Sequence, residues 1–326
     1  MAKSTIVIPN YNGINYIEAC LDSIYGGTTT DVEVIVVDNA STDGSLALVE
    51  EKFPQVHVIK NSENTGFSAA VNQGIAASTT PYVILLNNDT RADKTFVREL
   101  ERVLDEDKDN RIFSASARLI SLHDKEKTDD AGDFYCAFGW AFARGKGKNP
   151  ALYDKNCEIF AACAGAAIYR RALLAPEKVG LFDKEHFAYL EDIDIGYRAK
   201  IHGYQNHFAA KSIVYHAGSA TSGSRYNAFK VKLAARNSVY LIYKNMPFFQ
   251  VIINLPFLAA GFGIKTLFFC KKGLGKEYIA GLAEGVRLCG GPGAKAHKQK
   301  FYGKRLGNDI KIQLELWWNL IRLLQG

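Results

Sequence analysis

The chain has 326 residues, of which 48% are hydrophobic and 23% are charged. These values suit one large globular domain with an appendage, or two ordinary domains, and they exclude a disordered, low-complexity or fibrous protein. The net charge of +6 is uneven, because residues 226–326 carry 16 Lys/Arg and 4 Asp/Glu, whereas residues 1–225 carry 24 and 30. We expect an acidic part that can hold a cation and a basic, aromatic part that suits anionic phospholipid surfaces.

The first 90 residues alternate apolar strands with helical patterns. Apolar spacing at Ile17, Leu21 and Ile24 predicts a first helix, and the Ser and Asp residues of the 38–44 loop offer N-caps for a second helix through Val49. Continuous apolar strands that alternate with helices imply a mostly parallel sheet covered on both faces, the α/β class. The predicted strands are 5–9, 32–37, 56–60 and 82–86, and a third helix covers 66–77.

A polar cluster follows three of these strands. The clusters are Asn10–Gly13, Asp38–Gly44 and Asn87–Asp89. Ligands of parallel α/β sheets bind beyond the carboxyl ends of the strands, so we expect these segments to converge on one crevice.

The middle of the chain, residues 111–162, has a weaker pattern. Two charged stretches in it, 123–133 and 144–150, are predicted to be surface loops. Residues 163–169 predict a strand or the start of a helix, and a helix follows Glu191-Asp192 through residue 201. The six cysteines form no CxxC pair, which favours structural or incidental thiols in a reducing cytoplasm over a metal or redox site.

From Tyr226 onward the patterns are long and helical. Residues 245–264 are uncharged and could just span a bilayer, but Pro247 and Pro256 favour a helical hairpin that lies on or dips into a membrane. Residues 310–324 place Trp317 and Trp318 at helical spacing beside basic residues, as at the headgroup level of a membrane. The alternatives are a soluble helical cap and packing against the main domain or a second subunit.

Three sets of residues could carry chemistry. Asp89 ends a buried strand, and its carboxylate suits a hard divalent cation, although an acid at a strand end is more often a turn residue. Glu191 and Asp192 stand at a helix start near aromatic residues that could raise a carboxylate pKa for general-base work, although acids there also answer the helix dipole. His216 ends a predicted strand and could join Asp89 on a Mn²⁺-type ion.

The order of these motifs resembles the family 2 inverting glycosyltransferases, which have the GT-A fold. The resemblance covers residues 4–225 and is strongest to the bacterial rhamnosyltransferases of cell-wall and O-antigen assembly, which use dTDP-L-rhamnose and lipid-linked acceptors. The motifs that carry it are IVIPNYN, VVDNASTDGS, GFSAAVN, LLNNDT, GLFDKEHFAYLEDIDIGYR and VYHAGS.

The resemblance implies roles for individual residues. Asp192 would be the general base with Glu191 beside it, and Asp89 and His216 would bind Mg²⁺ or Mn²⁺. Asn87 replaces the first Asp of the family's DxD motif, which removes one negative charge from the metal site. Charge and position alone make Arg225 and Arg236 candidates for phosphate contacts. The residues expected around the nucleotide are Pro9, Asn10, Tyr11, Asp38, Asn64, Asn72, Asn87 and Asn88.

The expected protein is therefore an inverting, metal-dependent transferase of L-rhamnose to a glycan or lipid-linked glycan acceptor. Residues 1–225 would form its GT-A domain, and residues 226–326 a helical region that associates with the inner face of the cytoplasmic membrane or forms a homodimer. A UDP-sugar donor and a non-enzymatic scaffold are the alternatives. No GxGxxG follows a predicted strand, which disfavours an NAD-dependent oxidoreductase, and basic residues interleaved with aliphatic runs disfavour nucleic acid as a partner.

Overall fold

The alternation predicted for the first third of the chain is confirmed. The computed structural model describes residues 2–28, 30–218 and 226–325. Its first seven elements are β1 Ser4–Asn10, α1 Ile17–Tyr25, β2 Val32–Asp38, α2 Ser45–Lys52, β3 His57–Lys60, α3 Gly66–Ala77 and β4 Tyr82–Leu86.

The rest of the chain adds eight strands and then a run of helices. The middle elements are β5 Thr90–Ala92, α4 Phe96–Asp105, β6 Ile112–Ser121, β7 Thr128–Asp130, β8 Asp133–Cys136, β9 Trp140–Ala143, β10 Cys157–Ile159, β11 Ala166–Arg170, α5 Glu191–Ile201 and β12 Gln205–His216. The C-terminal helices are α6 Ala228–Asn245, α7 Phe248–Lys271, α8 Gly275–Cys289, α9 Pro292–His297 and α10 Leu306–Gln325.

The main sheet is mixed. Its strand order is β10-β12-β6-β11-β4-β1-β2-β3, and β1, β2, β3 and β4 run parallel as predicted. However, β11 is antiparallel to both β4 and β6. The chain leaves the carboxyl end of β6, forms β7 to β10 without a crossover helix, and enters β11 from the same edge, so β11 must run back across the sheet.

The middle segment is more ordered than the sequence pattern predicts. Strand β6 lies inside the sheet between β12 and β11, and helix α4 packs against β12 and β6. The prediction that residues 123–133 form a surface loop is wrong in its second half, because Thr128, Asp130 and Ala131 are buried. Strand β7 pairs with β6 there, which places this acidic stretch against the sheet.

Both faces of the sheet are covered, as the apolar strands predict. One face carries Ile6, Ile8 and Ile84 and packs against α1, α2 and α4. The opposite face packs against α3, α5 and parts of the C-terminal helices. Leu241 of α6 and Leu316 of α10 belong to this second cluster. The C-terminal region is helical as predicted, and it shares the main core with the sheet.

The prediction of a hairpin between residues 245 and 264 is wrong. Residues 248–271 form one continuous helix, α7, with Pro256 inside it. Proline removes one backbone hydrogen bond from a helix. Side-chain packing on both sides of Pro256 supports the helix, because Gln250 and Asn254 before it and Leu258 after it are all buried.

Candidate functional site

The carboxyl ends of β1, β2 and β4 meet in a hydrogen-bonded cluster. The Asn10 amide donates to Asp38 Oδ1 at 2.9 Å, and the Asn88 amide donates to Asn10 Oδ1 at 2.7 Å. A Cβ atom at Gly13 would lie 2.2 Å from the Asn88 amide nitrogen, so glycine is needed where the loop after β1 closes over this pair. The polar segments expected to converge therefore do so.

The residues expected around the nucleotide differ in how open they are. Asp38 is buried and also accepts hydrogen bonds from the hydroxyl and the backbone N–H of Ser41. Pro9 is partly exposed, and Tyr11 beside it keeps 39% of its surface accessible. Asn87 is also partly exposed, and its backbone N–H donates to the Gly165 carbonyl at 2.9 Å. Tyr11 and Asn87 are thus available to a ligand at this edge.

Asn64 and Asn72 have structural partners. The Asn64 side chain accepts a hydrogen bond from the Gly66 N–H at the start of α3. Asn72 is buried and forms two hydrogen bonds with the backbone of Phe182, at 2.7 and 3.1 Å. The structure therefore uses the Asn72 amide to tie α3 to the segment before the Glu191-Asp192 pair, which leaves it little capacity for a nucleotide.

Asp89 and His216 lie side by side. Antiparallel pairing of β5 with β12 aligns Thr90 with His216, and it brings His216 Nε2 to 3.2 Å from Asp89 Oδ1. The other ring nitrogen, Nδ1, lies 2.7 Å from Asp129 Oδ2. Burial opposes a proton on His216, but its hydrogen bonds with Asp129 and Asp89 raise its pKa to about 9. Burial would raise the pKa of Asp129, but the hydrogen bond with His216 and the charge of His216 lower it to about 2.

The spacing of these two side chains fits a divalent cation, which would replace the proton between His216 and Asp89. Two ligands at right angles on an ion with metal–ligand distances of about 2.1 Å lie roughly 3 Å apart, close to the Asp89–His216 separation. A carboxylate oxygen and an imidazole suit Mn²⁺, and a carboxylate alone suits Mg²⁺. Histidine ligands usually bind a carboxylate through their second ring nitrogen, the position that Asp129 occupies.

Asp129 was not predicted as a site residue. It lies 87 positions before His216 in the chain and within the stretch that was interpreted as a surface loop. The local signal for it is the buried run Phe134 to Ala137, which begins five residues later. Lys146 also forms an ion pair with Asp129.

A second acidic group was also missed. The ligand atoms of Asp130, Asp133 and Cys163 lie within 4.8 Å of one another. Burial and the charges of Asp129 and Asp192 raise the pKa of Asp130 to about 7, and burial and the charge of Asp130 raise the pKa of Asp133 well above its usual value. These carboxyl groups therefore lie close enough to Asp192 to feel its charge.

Glu191 and Asp192 form the first turn of α5. Burial raises the pKa of both, and the charge of Asp192 adds to the effect on Glu191, whose pKa rises to about 8. Hydrogen bonds from the N–H groups of Ile193 and Ala164 partly oppose the shift at Asp192. Ala164 precedes Gly165, which accepts the hydrogen bond from Asn87, so one short segment connects the end of β4 to Asp192.

The backbone before this pair is unusual. Phe187, Tyr189 and Leu190 have φ values of 60°, 70° and 66°, in the left-handed region that residues other than glycine rarely adopt. Such residues cost about 1–3 kcal/mol each and persist only where the surroundings hold them. The catalytic candidates therefore follow a strained turn.

The two arginines proposed for phosphate contacts have different outcomes. Arg225 lies outside the described residues. Arg236 lies on α6, and its guanidinium donates to the carbonyls of Glu185 and His186 at 2.6 and 3.1 Å. Its contacts favour a role in holding this loop over a role on phosphate.

Together these residues could bind a cation and its anionic ligand at the strand ends and supply a carboxylate that accepts a proton.

Residues 5–175 match the family described as "Glycosyl transferase family 2". The chain is 36% identical over 100 residues to glycosyltransferase GlyA of Streptococcus pneumoniae, a match of 30% of this chain and 14% of GlyA. It is 23% identical over 241 residues to the N-acetylglucosaminyl-diphospho-decaprenol L-rhamnosyltransferase of Mycobacterium tuberculosis, covering 67% of this chain and 77% of that protein.

Solved structures show the same fold. Staphylococcus aureus TarS 1–349 in complex with UDP-GlcNAc aligns with a TM-score of 0.60 and 18% identity, over 87% of this chain and 81% of that one. The mannosyltransferase PcManGT of Pyrobaculum calidifontis in complex with GDP-Man and Mn²⁺ aligns with a TM-score of 0.52 and 19% identity, over 97% and 87%. These two likenesses show the fold, and they confirm the predicted α/β class of the GT-A type.

Proposed function

Because this chain belongs to glycosyl transferase family 2, we propose that it is an inverting, metal-dependent glycosyltransferase that acts on a nucleotide-activated sugar. The observation that carries the proposal is the pairing of Asp89 with His216 at the end of β4, together with the partly exposed Asp192 at the start of α5. The strand-end cluster of Asn10, Asp38 and Asn88 lies beside them and would line the nucleotide pocket.

Asp89 and His216 would hold the cation, and Asp129 would orient the His216 ring through Nδ1. A bound Mg²⁺ or Mn²⁺ supplies positive charge that stabilises the diphosphate as it leaves. Asn87 stands where the family has a first Asp, so on β4 the charge for the cation comes from Asp89 alone.

Asp192 would act as the general base. In a single displacement, the acceptor oxygen attacks the anomeric carbon from the face opposite the diphosphate, and Asp192 takes the hydroxyl proton as the C–O bond to the diphosphate breaks. Glu191 has a pKa of about 8, so it keeps its proton at neutral pH. Asp192 has the more accessible side chain of the two acids and would be the one that takes the acceptor proton.

For the donor we propose dTDP-L-rhamnose, with a lipid-diphosphate-linked saccharide as the acceptor. The mycobacterial rhamnosyltransferase supports this choice, because its match extends over 67% of this chain. The fold likeness to TarS bound to UDP-GlcNAc favours the alternative, a UDP-sugar donor. A scaffold protein that only binds nucleotide sugars is disfavoured by the presence of Asp89, His216 and a carboxylate with a raised pKa, Asp192, in one chain.

A donor screen would test the function. We expect dTDP-L-rhamnose with Mn²⁺ to raise Tm by about 5 °C at 100 times its Kd, because a ligand that binds only the folded state stabilises it. Thermal melts with dTDP-, UDP- and GDP-sugars, each with Mn²⁺ or EDTA, would measure this shift. Stabilisation by UDP-sugars alone would contradict the rhamnose donor, and no shift with any nucleotide sugar would contradict the enzyme.

We also propose that the C-terminal helices bind the inner face of the cytoplasmic membrane. Helix α7 places its polar residues inward, where the Asn254 amide donates to Gln313 of α10 at 2.8 Å and Asn254 Oδ1 accepts from Trp317. Many of its apolar residues face outward, and so do many of those of α10. The exposed residues are Phe248, Ile252, Ile253, Leu255, Phe257, Ile264, Leu267 and Phe268 on α7, and Ile310, Leu314, Trp317, Trp318, Ile321 and Leu324 on α10.

The packing of the C-terminal helices favours a protein that lies on a bilayer over one in which α7 crosses it. Among the described helices α7 alone is long and apolar enough to span a membrane. The helices on either side of it, α6 and α8, pack directly against each other, and a Cβ atom at Gly281 of α8 would lie 2.2 Å from the Lys232 carbonyl of α6. Both ends of α7 are thus held to the protein. Lys271, Lys272 and Lys311 are exposed beside the apolar face, where they suit anionic headgroups.

The membrane proposal predicts a loss of vesicle binding in the double variant Ile253→Glu, Leu314→Glu. Transfer of an aliphatic side chain out of water contributes about 1.5–3 kcal/mol, so we expect binding to vesicles with phosphatidylglycerol to weaken at least tenfold in co-sedimentation. Leu152→Glu is the matched control, because Leu152 is 68% exposed and lies outside the C-terminal helices. A stable dimer that ignores vesicles and is disrupted by the double variant would favour a homodimer instead.

A further inference from the structure

The loop before the Glu191-Asp192 pair is held by a helix that lies far away in the sequence. Asn237 of α6 is fully buried, and its side-chain amide donates to the carbonyls of His186, Ala188 and Tyr189 at 2.9, 2.9 and 2.8 Å. These carbonyls flank or belong to the left-handed residues of the turn. One amide group thus binds three backbone carbonyls, and these contacts hold the turn in its left-handed conformation.

Arg236 fixes the direction of that amide. Arg236 Nε donates to Asn237 Oδ1 at 2.9 Å, which turns the amide nitrogen toward the loop. The same guanidinium donates to the carbonyls of Glu185 and His186, one residue further back. The two neighbouring side chains therefore bind the carbonyls of four of the five residues between 185 and 189.

The opposite side of the loop is closed by α3. The Ser68 N–H donates to the Phe187 carbonyl at 3.2 Å. A Cβ atom at Gly66 would lie 2.5 Å from the Phe187 ring, so the glycine lets this ring pack against the start of α3. The turn is held between two helices, and α6 binds the carbonyls of Ala188 and Tyr189, just before the catalytic pair.

Both ends of the segment are anchored to α6 as well. Lys244 lies 2.7 Å from Asp183 before the loop and 2.9 Å from Asp194 after it, and all three side chains are buried. The Asn245 amide donates to Asp194 at 2.8 Å. Helix α6 therefore fixes residues 183 to 194 at their start, their middle and their end.

We propose that Asn237, oriented by Arg236, is a positioning residue for the reaction: it holds the left-handed turn at residues 187–190 and so sets where the carboxylates of Glu191 and Asp192 point. This rests on the proposed function for the role of Asp192, whereas the hold on the turn rests on the contacts alone. Leu190 has the left-handed conformation and is the N-cap of α5, so a change in the turn changes the first residues of the helix.

The test uses Asn237→Asp in the full chain. Aspartate has nearly the shape of asparagine but offers two acceptor oxygens to three carbonyl oxygens, so the contacts become repulsive while the packing volume stays the same. We expect at least tenfold faster amide hydrogen exchange in peptides that cover residues 183–192. With a donor found by thermal shift, we expect kcat to fall at least 100-fold while the donor KM changes less than threefold.

Ser238→Ala is the matched control. Ser238 is the next residue of α6, is also buried, and donates only to the Ala234 carbonyl within the same helix. It should leave both exchange and kcat unchanged. If Asn237→Asp does not fold, Arg236→Gln offers a milder change at a partly exposed side chain, with the same direction of effect on exchange of the loop.

Unchanged exchange at residues 183–192 in a folded Asn237→Asp protein would overturn the proposal. So would faster exchange accompanied by a normal kcat, because the turn would then not matter for the base. A wild-type protein without transferase activity would contradict the proposed function instead, and the exchange data would still show whether Asn237 holds the turn.

Discussion

Asp192→Asn is expected to lower kcat about 10³-fold while the protein still binds its donor. General-base catalysis contributes roughly 10²- to 10⁴-fold, and an amide cannot take the acceptor proton. The substitution also removes a carboxylate whose pKa is raised by partial burial, so we expect the protein to fold at least as well as the wild type. Rates of nucleoside diphosphate release with and without acceptor, together with donor thermal shifts, would measure the effect.

Glu191→Gln is the control for this substitution. Glutamine resembles the protonated form that Glu191 holds below pH 8, so at pH 7 we expect less than a tenfold change in kcat. The raised pKa of Glu191 also makes its contribution to the stability of the protein depend on pH. The native state binds the Glu191 proton more tightly than the unfolded chain, so the contribution of Glu191 to stability is full below about pH 4.5 and is lost as pH rises toward 8. Glu191→Gln should therefore raise Tm at pH 8 more than at pH 4. Full activity in Asp192→Asn would exclude Asp192 as the general base.

Asp89→Asn is expected to abolish metal-dependent transfer. Asp89 is the carboxylate at the carboxyl end of β4, because Asn87 and Asn88 supply only amides. Its removal leaves His216 without a charged partner on the cation side, so we expect Mn²⁺ affinity to fall at least 100-fold and transfer to fall to background. Mn²⁺ titrations followed by electron paramagnetic resonance would measure binding independently of activity.

Asp129→Asn gives the graded comparison for the same site. It keeps Asp89 and His216 but replaces the carboxylate 2.7 Å from His216 Nδ1 with a neutral amide. Loss of such an outer partner costs about 10- to 100-fold in metal affinity, so its effect should be smaller than that of Asp89→Asn. Equal Mn²⁺ binding by Asp89→Asn and the wild type would exclude this pair as the metal site.

The sequence predicts the first half of the fold well because its strands are short, apolar and followed directly by polar turns. Strand β6 escapes the same reasoning. Its core positions include Ser114, Ala115, Ser116 and Ala117, and small residues give neither an apolar run nor a clear alternation. Its place between two strands is decided by tertiary contacts that no local pattern records.

The site residues likewise divide into some that the sequence predicts and some that it does not. Asp89 and His216 stand at strand ends, where the sequence makes them candidates as a pair, and the sheet register brings them together. Asp129 and Asn237 act through partners 87 and about 50 positions away, one inside an acidic stretch and the other inside an ordinary amphipathic helix. Asn72 shows the converse, since a residue expected beside the nucleotide uses its amide to bind the Phe182 backbone. The position of a residue in a motif therefore predicts where the residue lies better than it predicts which group the residue hydrogen-bonds.

The buried ion cluster around Lys244 limits how this protein can be shortened. A chain that stopped near residue 225 would retain Asp183 and Asp194 but lose the lysine that bridges them. Removing one partner of a buried ion pair costs about 3–5 kcal/mol, a large part of the stability of a typical domain. The enzyme therefore cannot be freed from its apolar helices by trimming. Surface substitutions on α7 and α10 are the route to a protein that stays in solution with its site intact.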